Sequence, residues 1–317
     1  MAGGQERILR RRIKSVQATK KITRAMELIA ASRIVKAQAR VHAAQPYADG
    51  ITDVVRNLQS AGGTSSPLLT PRQDIRRVAN IVIAADRGLC GGYNTTVIRA
   101  GEHDMRAQAA AGRDNVLVTV GRKAESYFRF REIHIDASFS GFTDNPSYED
   151  ARHVAGAVVD RFESGDVDVV QLVYTRFISS GRQEVVVQRL LPLEPEEAAP
   201  SEPVEPASGE PAAAYEFEPG PDAILATLLP RYTESRVFAA LLNAAASEHA
   251  ARQRAMKAAT DNAEDLILTY TRRMNRARQD SITTEIMEIV GGAEALSAGE
   301  SAPHVDARDA EYYEKTA

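Results

Sequence analysis

Residues 6–45 read ERILRRRIKSVQATKKITRAMELIAASRIVKAQARVHAAQ and contain neither proline nor glycine. The stretch is rich in Ala, Arg, Lys and Gln, which all favour helix. Its apolar residues form three groups with internal steps of three and four: Leu9, Ile13 and Val16; Ile22, Met26 and Ile29; Ile34, Ala37 and Val41. This spacing predicts a coiled-coil-like seam on a helix that reaches about residue 60, with Pro46 as the expected point of any interruption.

A second long helix is predicted from about residue 222 to residue 289. Its small and apolar residues form one stripe: Met256, Ala259, Ala263, Leu266, Tyr270, Met274, Ala277, Ile286 and Ile289. At 1.5 Å per residue, each helix would be on the order of 80 Å long, whereas a globule of this size has a radius of gyration of about 20 Å. The two helices are therefore predicted to pair antiparallel into a projecting rod.

The middle of the chain alternates predicted strands and helices. The strands are Val78–Ala84, Val116–Val120, Ile133–Ala137, Val167–Tyr174 and Glu184–Leu190, and the last two form a hairpin. The helices are Thr95–Ala111, Lys123–Phe130 and Ser147–Glu163. This order predicts an α/β fold: a long antiparallel coiled coil of the N- and C-terminal helices plus a small Rossmann-like central α/β domain.

Five segments are expected along the chain. They are an N-terminal coiled-coil helix (1–60), the Rossmann-like domain (75–193), an acidic proline-rich insertion (194–222), a C-terminal coiled-coil helix (223–296) and a tail (297–317). The insertion holds nine acidic residues, no basic residue and seven of the chain's 14 prolines. This composition and the few aliphatic residues of the tail predict that neither segment forms packed structure.

Charge is distributed unevenly over the 317 residues. The net charge is −4, but residues 5–45 carry eleven basic and two acidic side chains, so the remainder carries −13. The single cysteine excludes an intrachain disulfide, and the six histidines do not have metal-ligand spacing, so no metal site is expected. No apolar run approaches the roughly 20 residues that span a bilayer.

The glycine-rich turn Asp86–Asn94, DRGLCGGYN, follows the first strand and precedes a helix. It lacks the G-x-G-x-x-G pattern of dinucleotide loops and the Gly-Lys-Ser/Thr of a Walker A loop, so no cofactor is expected there. Residues 88–92 match a nucleophile elbow in which cysteine replaces serine. A small α/β hydrolase with a Cys90 nucleophile is therefore an alternative function, and the other interpretation is a tight turn around a small buried cysteine.

The basic N-terminal helix offers a second alternative, a coiled-coil adaptor that binds nucleic acid. Residues 5–45 contain no Phe, Tyr or Trp, and their apolar stripe suits a partner helix. Nucleic-acid binding is therefore not expected.

Three stretches resemble the γ-subunit family of F-type ATP synthases, the central stalk of bacterial F1. They are Ile13–Gln38 (IKSVQATKKITRAMELIAASRIVKAQ), the turn Asp86–Asn94, and Ser247–Leu296, which ends in NRARQDSITTEIMEIVGGAEAL. The resemblance covers the whole predicted architecture except the acidic insertion and the tail.

The resemblance implies a noncatalytic rotor shaft. In this family the paired helices enter an α3β3 hexamer, and the foot contacts the ε subunit and the c-ring of Fo. Rotation of the c-ring by proton flow drives the catalytic β subunits through their conformations for ATP synthesis. The implied location is the cytoplasmic side of the cell membrane, with peripheral attachment through Fo, and no catalytic or cofactor residue is implied in this chain.

The resemblance also implies contact residues. Met26 matches the position where the shaft faces the C-terminal lever of β, so lysine at this position should impair coupling. Arg278, Gln279 and Thr283 match the segment that engages a catch loop on β.

Overall fold

The computed structural model describes residues 2–60, 66–193, 218 and 220–300. The chain divides into two compact units: a smaller unit of residues up to Ile22 and from Ala259, and a larger unit of Thr23–Ala258. The expected insertion and tail, residues 194–222 and 297–317, lie mostly outside the described residues. Within the described ranges, no helix is both long and apolar enough to span a membrane.

Two long helices form the ends of the chain. Helix α1 spans Ala2–Ser60 and helix α5 spans Pro221–Glu300. Helix α1 continues through Pro46 without the suggested interruption, although proline removes one backbone donor from a helix. Residues on both sides of this proline, Ala44 and Ala48, are half-buried. Helix α1 is therefore unbroken at Pro46, with partly buried residues before and after the proline.

Within the larger unit the two helices run antiparallel. The hydroxyl groups of Thr52, late in α1, and Tyr232, early in α5, lie 3.4 Å apart. Earlier in α1, Ala37 lines the same cavity as Ala245, which lies later in α5. Increasing residue number in one helix therefore accompanies decreasing residue number in the other, as the sequence predicted.

The seam of α1 follows one continuous alternation of three- and four-residue steps. Its buried and half-buried members are Leu9, Ile13, Val16, Lys20, Thr23, Glu27, Ala30, Ile34, Ala37, Val41, Ala44, Ala48, Ile51, Val55 and Leu58. Ile22 and Ile29 were predicted in the seam, but they are 61% and 55% exposed. This prediction was wrong because polar residues with partners occupy seam positions. In the smaller unit, Lys20 Nζ lies 3.0 Å from Glu264 Oε1. In the larger unit, Glu27 Oε2 accepts a 2.9 Å hydrogen bond from Arg24.

The larger unit contains a five-stranded sheet with the order β3-β2-β1-β4-β5. Strand β5 is antiparallel to β4, and the other neighbouring strands are parallel. The strands are β1 (Arg77–Ile83), β2 (Asp114–Val120), β3 (Ala137–Phe139), β4 (Val169–Phe177) and β5 (Gln183–Leu191). The helices between them are α2 (Tyr93–Ala110), α3 (Arg122–Phe130) and α4 (Tyr148–Glu163), and a one-turn 3-10 helix spans Pro67–Leu69. This is the predicted Rossmann-like arrangement with an antiparallel edge.

The sheet is covered on both faces because its strands alternate between two cores. In β1, Ile81 joins the core that contains α4 and parts of the two long helices, whereas Val82 joins the core against α2 and α3. The central sheet therefore packs directly against the two long helices.

Ser147 caps the start of α4. Its Oγ accepts a hydrogen bond from Asp150 N at 3.2 Å, and Asp150 Oδ2 accepts one from Ser147 N at 2.7 Å.

Strand β3 differs from its predicted position. The apolar run Ile133–Ala137 suggested the strand, but pairing with β2 begins only at Ala137. Asp136 precedes this point, and its Oδ2 accepts a 3.0 Å hydrogen bond from Leu117 N. The side chain of Asp136 therefore binds a backbone donor of β2 where a longer strand would have used its own backbone.

Candidate subunit-contact surfaces and the glycine-rich turn

The four predicted subunit-contact residues are distributed over both compact units. Met26 is half-buried on α1 in the larger unit. Arg278, Gln279 and Thr283 are exposed on α5 in the smaller unit. The last three therefore present their polar groups within about one and a half helical turns, which is close enough for one segment of a partner protein to contact them.

The end of α5 also exposes apolar side chains. Six of them are between 47% and 77% exposed: Ile282, Ile286, Met287, Ile289, Val290 and Leu296. Ile286 and Ile289, the last two members of the predicted stripe, are therefore left exposed by the described chain, together with apolar neighbours. Contiguous exposed apolar surface is typical of sites that contact another protein. This end of α5 is the first candidate contact surface.

The glycine-rich turn, residues 86–94, is fixed at its start by Asp86. Its carboxylate accepts hydrogen bonds from Gly141 N at 2.8 Å, Arg122 N at 3.1 Å and Thr143 N at 3.1 Å. Burial pushes the pKa of Asp86 up, but these hydrogen bonds outweigh it and the pKa is lowered. The ionised carboxylate therefore ties the turn to two other loops at the carboxyl end of the sheet.

Asn94 closes the turn around Cys90. Its Oδ1 accepts from Ala85 N at 2.9 Å, and its Nδ2 donates to Cys90 Sγ at 3.1 Å. Cys90 is 1% exposed, and its Sγ lies 3.9 Å from Arg87 O. Burial raises the pKa of the Cys90 thiol, and neither hydrogen-bond partner is a base. The geometry therefore favours the structural interpretation of this turn over a nucleophile.

Removal of the thiol tests this interpretation. We expect Cys90→Ala to lower the free energy of unfolding by about 1–2 kcal/mol, because it leaves a small void in a buried site. Urea titrations followed by circular dichroism measure this change. Unchanged stability of the variant would contradict the packing role of the thiol.

Helix α5 packs against the turn through a buried ion pair that sequence analysis missed. Arg252 Nη2 lies 2.6 Å from Glu248 Oε1, and the two side chains are 10% and 2% exposed. Arg252 also donates to Gly88 O at 3.4 Å, and Tyr93 OH donates to Ala244 O at 3.1 Å. The i, i+4 spacing of the pair was visible in the sequence, but the same spacing is common on exposed helices. The contacts of Arg252 and Tyr93 give the glycine-rich turn a structural role as the point where α5 packs against it.

The sequence matches one protein family along almost its whole length. The family model described as ATP synthase matches residues 5–296. The ATP synthase gamma chain of Parafrankia sp. (strain EAN1pec) is 52% identical over 306 residues, which cover 93% of this chain and 99% of that relative. The gamma chain of Kineococcus radiotolerans is 50% identical over 304 residues, which cover 94% of this chain and 99% of the relative.

Solved structures share the fold at lower sequence identity. A chain from the central stalk and c-ring structure of Tetrahymena thermophila mitochondrial ATP synthase aligns with a TM-score of 0.55 and 24% identity, covering 75% of this chain and 99% of that chain. A chain of Euglena gracilis mitochondrial ATP synthase aligns with a TM-score of 0.63 and 17% identity, covering 96% of this chain and 98% of that chain. The family model and the full-length relatives together show that this chain belongs to the ATP synthase gamma-chain family.

Proposed function

We propose that this chain is the noncatalytic rotor shaft of a proton-translocating ATP synthase. In this role it couples rotation of the c-ring to conformational cycling of the catalytic β subunits. The observation that carries the proposal is about 50% identity with ATP synthase gamma chains over nearly their full length. A shaft acts by presenting different contacts to each β subunit as it turns, because only differential contact energy shifts a conformational equilibrium.

The proposed partners are the α3β3 hexamer, the ε subunit and the c-ring. The exposed apolar side chains at the end of α5 support a surrounding protein partner for that segment. We assign Arg278, Gln279 and Thr283 to contacts with a β catch loop, and Met26 to contact with the β lever. The basic face of α1 suits an acidic lever, because complementary charge favours particular orientations.

The proposed location is the cytoplasmic side of the cell membrane, with attachment through Fo subunits.

The two alternative functions, a hydrolase and a nucleic-acid-binding adaptor, have less support. Cys90 is buried, and its two hydrogen-bond partners, Arg87 O and Asn94 Nδ2, are not bases, which disfavours a hydrolase. The relatives named above are ATP synthase gamma chains, and none of them is named as a nucleic-acid-binding adaptor.

Rotation imaging tests the proposed function. Ala110 is exposed at the end of α2, so Ala110→Cys provides a labelling site that the buried Cys90 does not compete with. We expect a probe on this site to rotate when ATP is added to purified α3β3-containing particles fixed by β. The same probe on a β subunit is the control and should stay still. A stationary probe at residue 110, or particles that lack this chain, would contradict the proposal.

A further inference from the structure

A cavity of about 310 Å³ lies in the larger unit between α1, α5 and the loop before α4. Three of its lining residues, Arg33, Lys36 and Arg40, are cationic and follow each other on α1 with steps of three and four. Such steps place side chains on one helix face. Asp144 of the loop and His249 of α5 complete the polar part of the lining.

Two of the three positive charges lack a neutralising partner within the described chain. Arg33 Nη1 pairs with Asp144 Oδ2 at 2.6 Å, so these two charges offset each other. Arg40 donates to two neutral oxygens, Asn145 Oδ1 at 2.5 Å and Pro146 O. Lys36 is exposed, and none of the described residues forms an ion pair with it. The polar lining therefore carries an excess of about two positive charges, which attracts an anion.

One lining residue, His249, also carries a buried polar atom without a hydrogen-bond partner among the described residues. His249 is 2% exposed, and its Nε2 donates to Asp144 O at 3.0 Å. Its other ring nitrogen, Nδ1, is buried and has no hydrogen-bond partner among the described residues. Burial, together with the charges of Arg252 and Arg33, lowers the pKa of His249. A neutral ring with its proton on Nε2 leaves a lone pair on Nδ1, and buried polar atoms without partners are uncommon in proteins.

We propose that this cavity binds a small tetrahedral oxyanion of the phosphate class, held by Lys36 and Arg40. Charge-assisted hydrogen bonds from ammonium and guanidinium groups are strong and suit phosphate oxygens. His249 is the only ring in the lining, so the cavity has little to offer the base of a nucleotide.

Calorimetric titration of the full chain with inorganic phosphate tests the site, with chloride holding the ionic strength constant. We expect saturable binding of one phosphate per chain. Lys36→Met should raise the Kd at least about tenfold, because it removes one charge-assisted hydrogen bond. The control is Lys21→Met, which removes the same charge from an exposed position of α1 outside the cavity and should leave the Kd unchanged.

Arg40→Gln is a second variant and should also raise the Kd about tenfold. Circular dichroism of each variant checks that the helices are intact, and Lys36 is exposed enough that its substitution should not disturb folding. Absence of saturable phosphate binding by the wild-type chain would overturn the proposal. Equal weakening by Lys36→Met and Lys21→Met would overturn it as well, because it would indicate nonspecific attraction to a basic helix. Tighter binding of ATP than of phosphate would contradict the assignment to a small anion.

Discussion

Gly121→Ala is expected to unfold the α/β part of the larger unit. Gly121 joins β2 to α3 with a φ of +94°, and a Cβ atom there would lie 2.2 Å from Ala84 O and 2.8 Å from Ala84 C. These are backbone atoms at the end of β1, where Ala84 N also donates to Val120 O at 2.9 Å. Relief of the clash requires separation of paired strands, so we expect a loss of more than about 4 kcal/mol, a large part of the stability of a typical domain.

The matched control for this substitution is Gly112→Ala. Gly112 also has a positive φ, of +77°, but an added Cβ would meet no atom within 4 Å. This variant isolates the backbone strain, which should cost only about 1–2 kcal/mol. Guanidinium titrations of both variants, followed by circular dichroism, measure the difference. Similar losses in the two variants would show that the contact with Ala84 is not the cause.

Arg252→Met is expected to destabilise the chain by about 3–5 kcal/mol at pH 7, because it leaves the Glu248 carboxylate buried without its partner. Arg252 lies 2.6 Å from Glu248 and also contacts Gly88 O, so the change affects the packing of α5 against the glycine-rich turn. Methionine keeps much of the side-chain volume, and the loss therefore reports on charge more than on a cavity. Urea titration at pH 7 measures it.

The loss caused by Arg252→Met should depend on pH in a defined direction. Burial already raises the pKa of Glu248 above its ordinary value of 4.5, and the Arg252 charge opposes this shift. Without Arg252, the pKa of Glu248 in the folded state rises further above its value in the unfolded state. The stability of the variant is then greatest below about pH 4.5 and falls as the pH rises through the folded-state pKa. The free energy of unfolding of Arg252→Met should therefore be close to the wild-type value near pH 4 and clearly below it at pH 7.

The double variant Glu248→Gln with Arg252→Met is the control for this explanation. It removes both charges, so it should recover much of the stability at pH 7 and lose the added pH dependence. Equal deficits of Arg252→Met at pH 4 and pH 7 would show that lost packing, and not the unpaired carboxylate, accounts for the change.

The amino-acid sequence was sufficient for the fold class and for most of the elements. The three- and four-residue spacing indicated the long helices, and the apolar runs indicated the strands β1, β2, β4 and β5 to within about three residues. These features depend on residues close together in the chain, whose burial pattern follows from the geometry of a helix or a strand. The same local patterns placed the glycine-rich turn between β1 and α2.

Tertiary structure decided the features that depend on partners distant in sequence. Lys20 takes a seam position with Glu264 as its partner, while the more apolar Ile22 is exposed. Glu248 and Arg252 resemble an ordinary surface pair in the sequence, and only their packing against the turn shows that they are buried. Hydrophobic periodicity records which residues avoid water on average, but a polar residue with a partner can also be buried, and its partner is known only after folding.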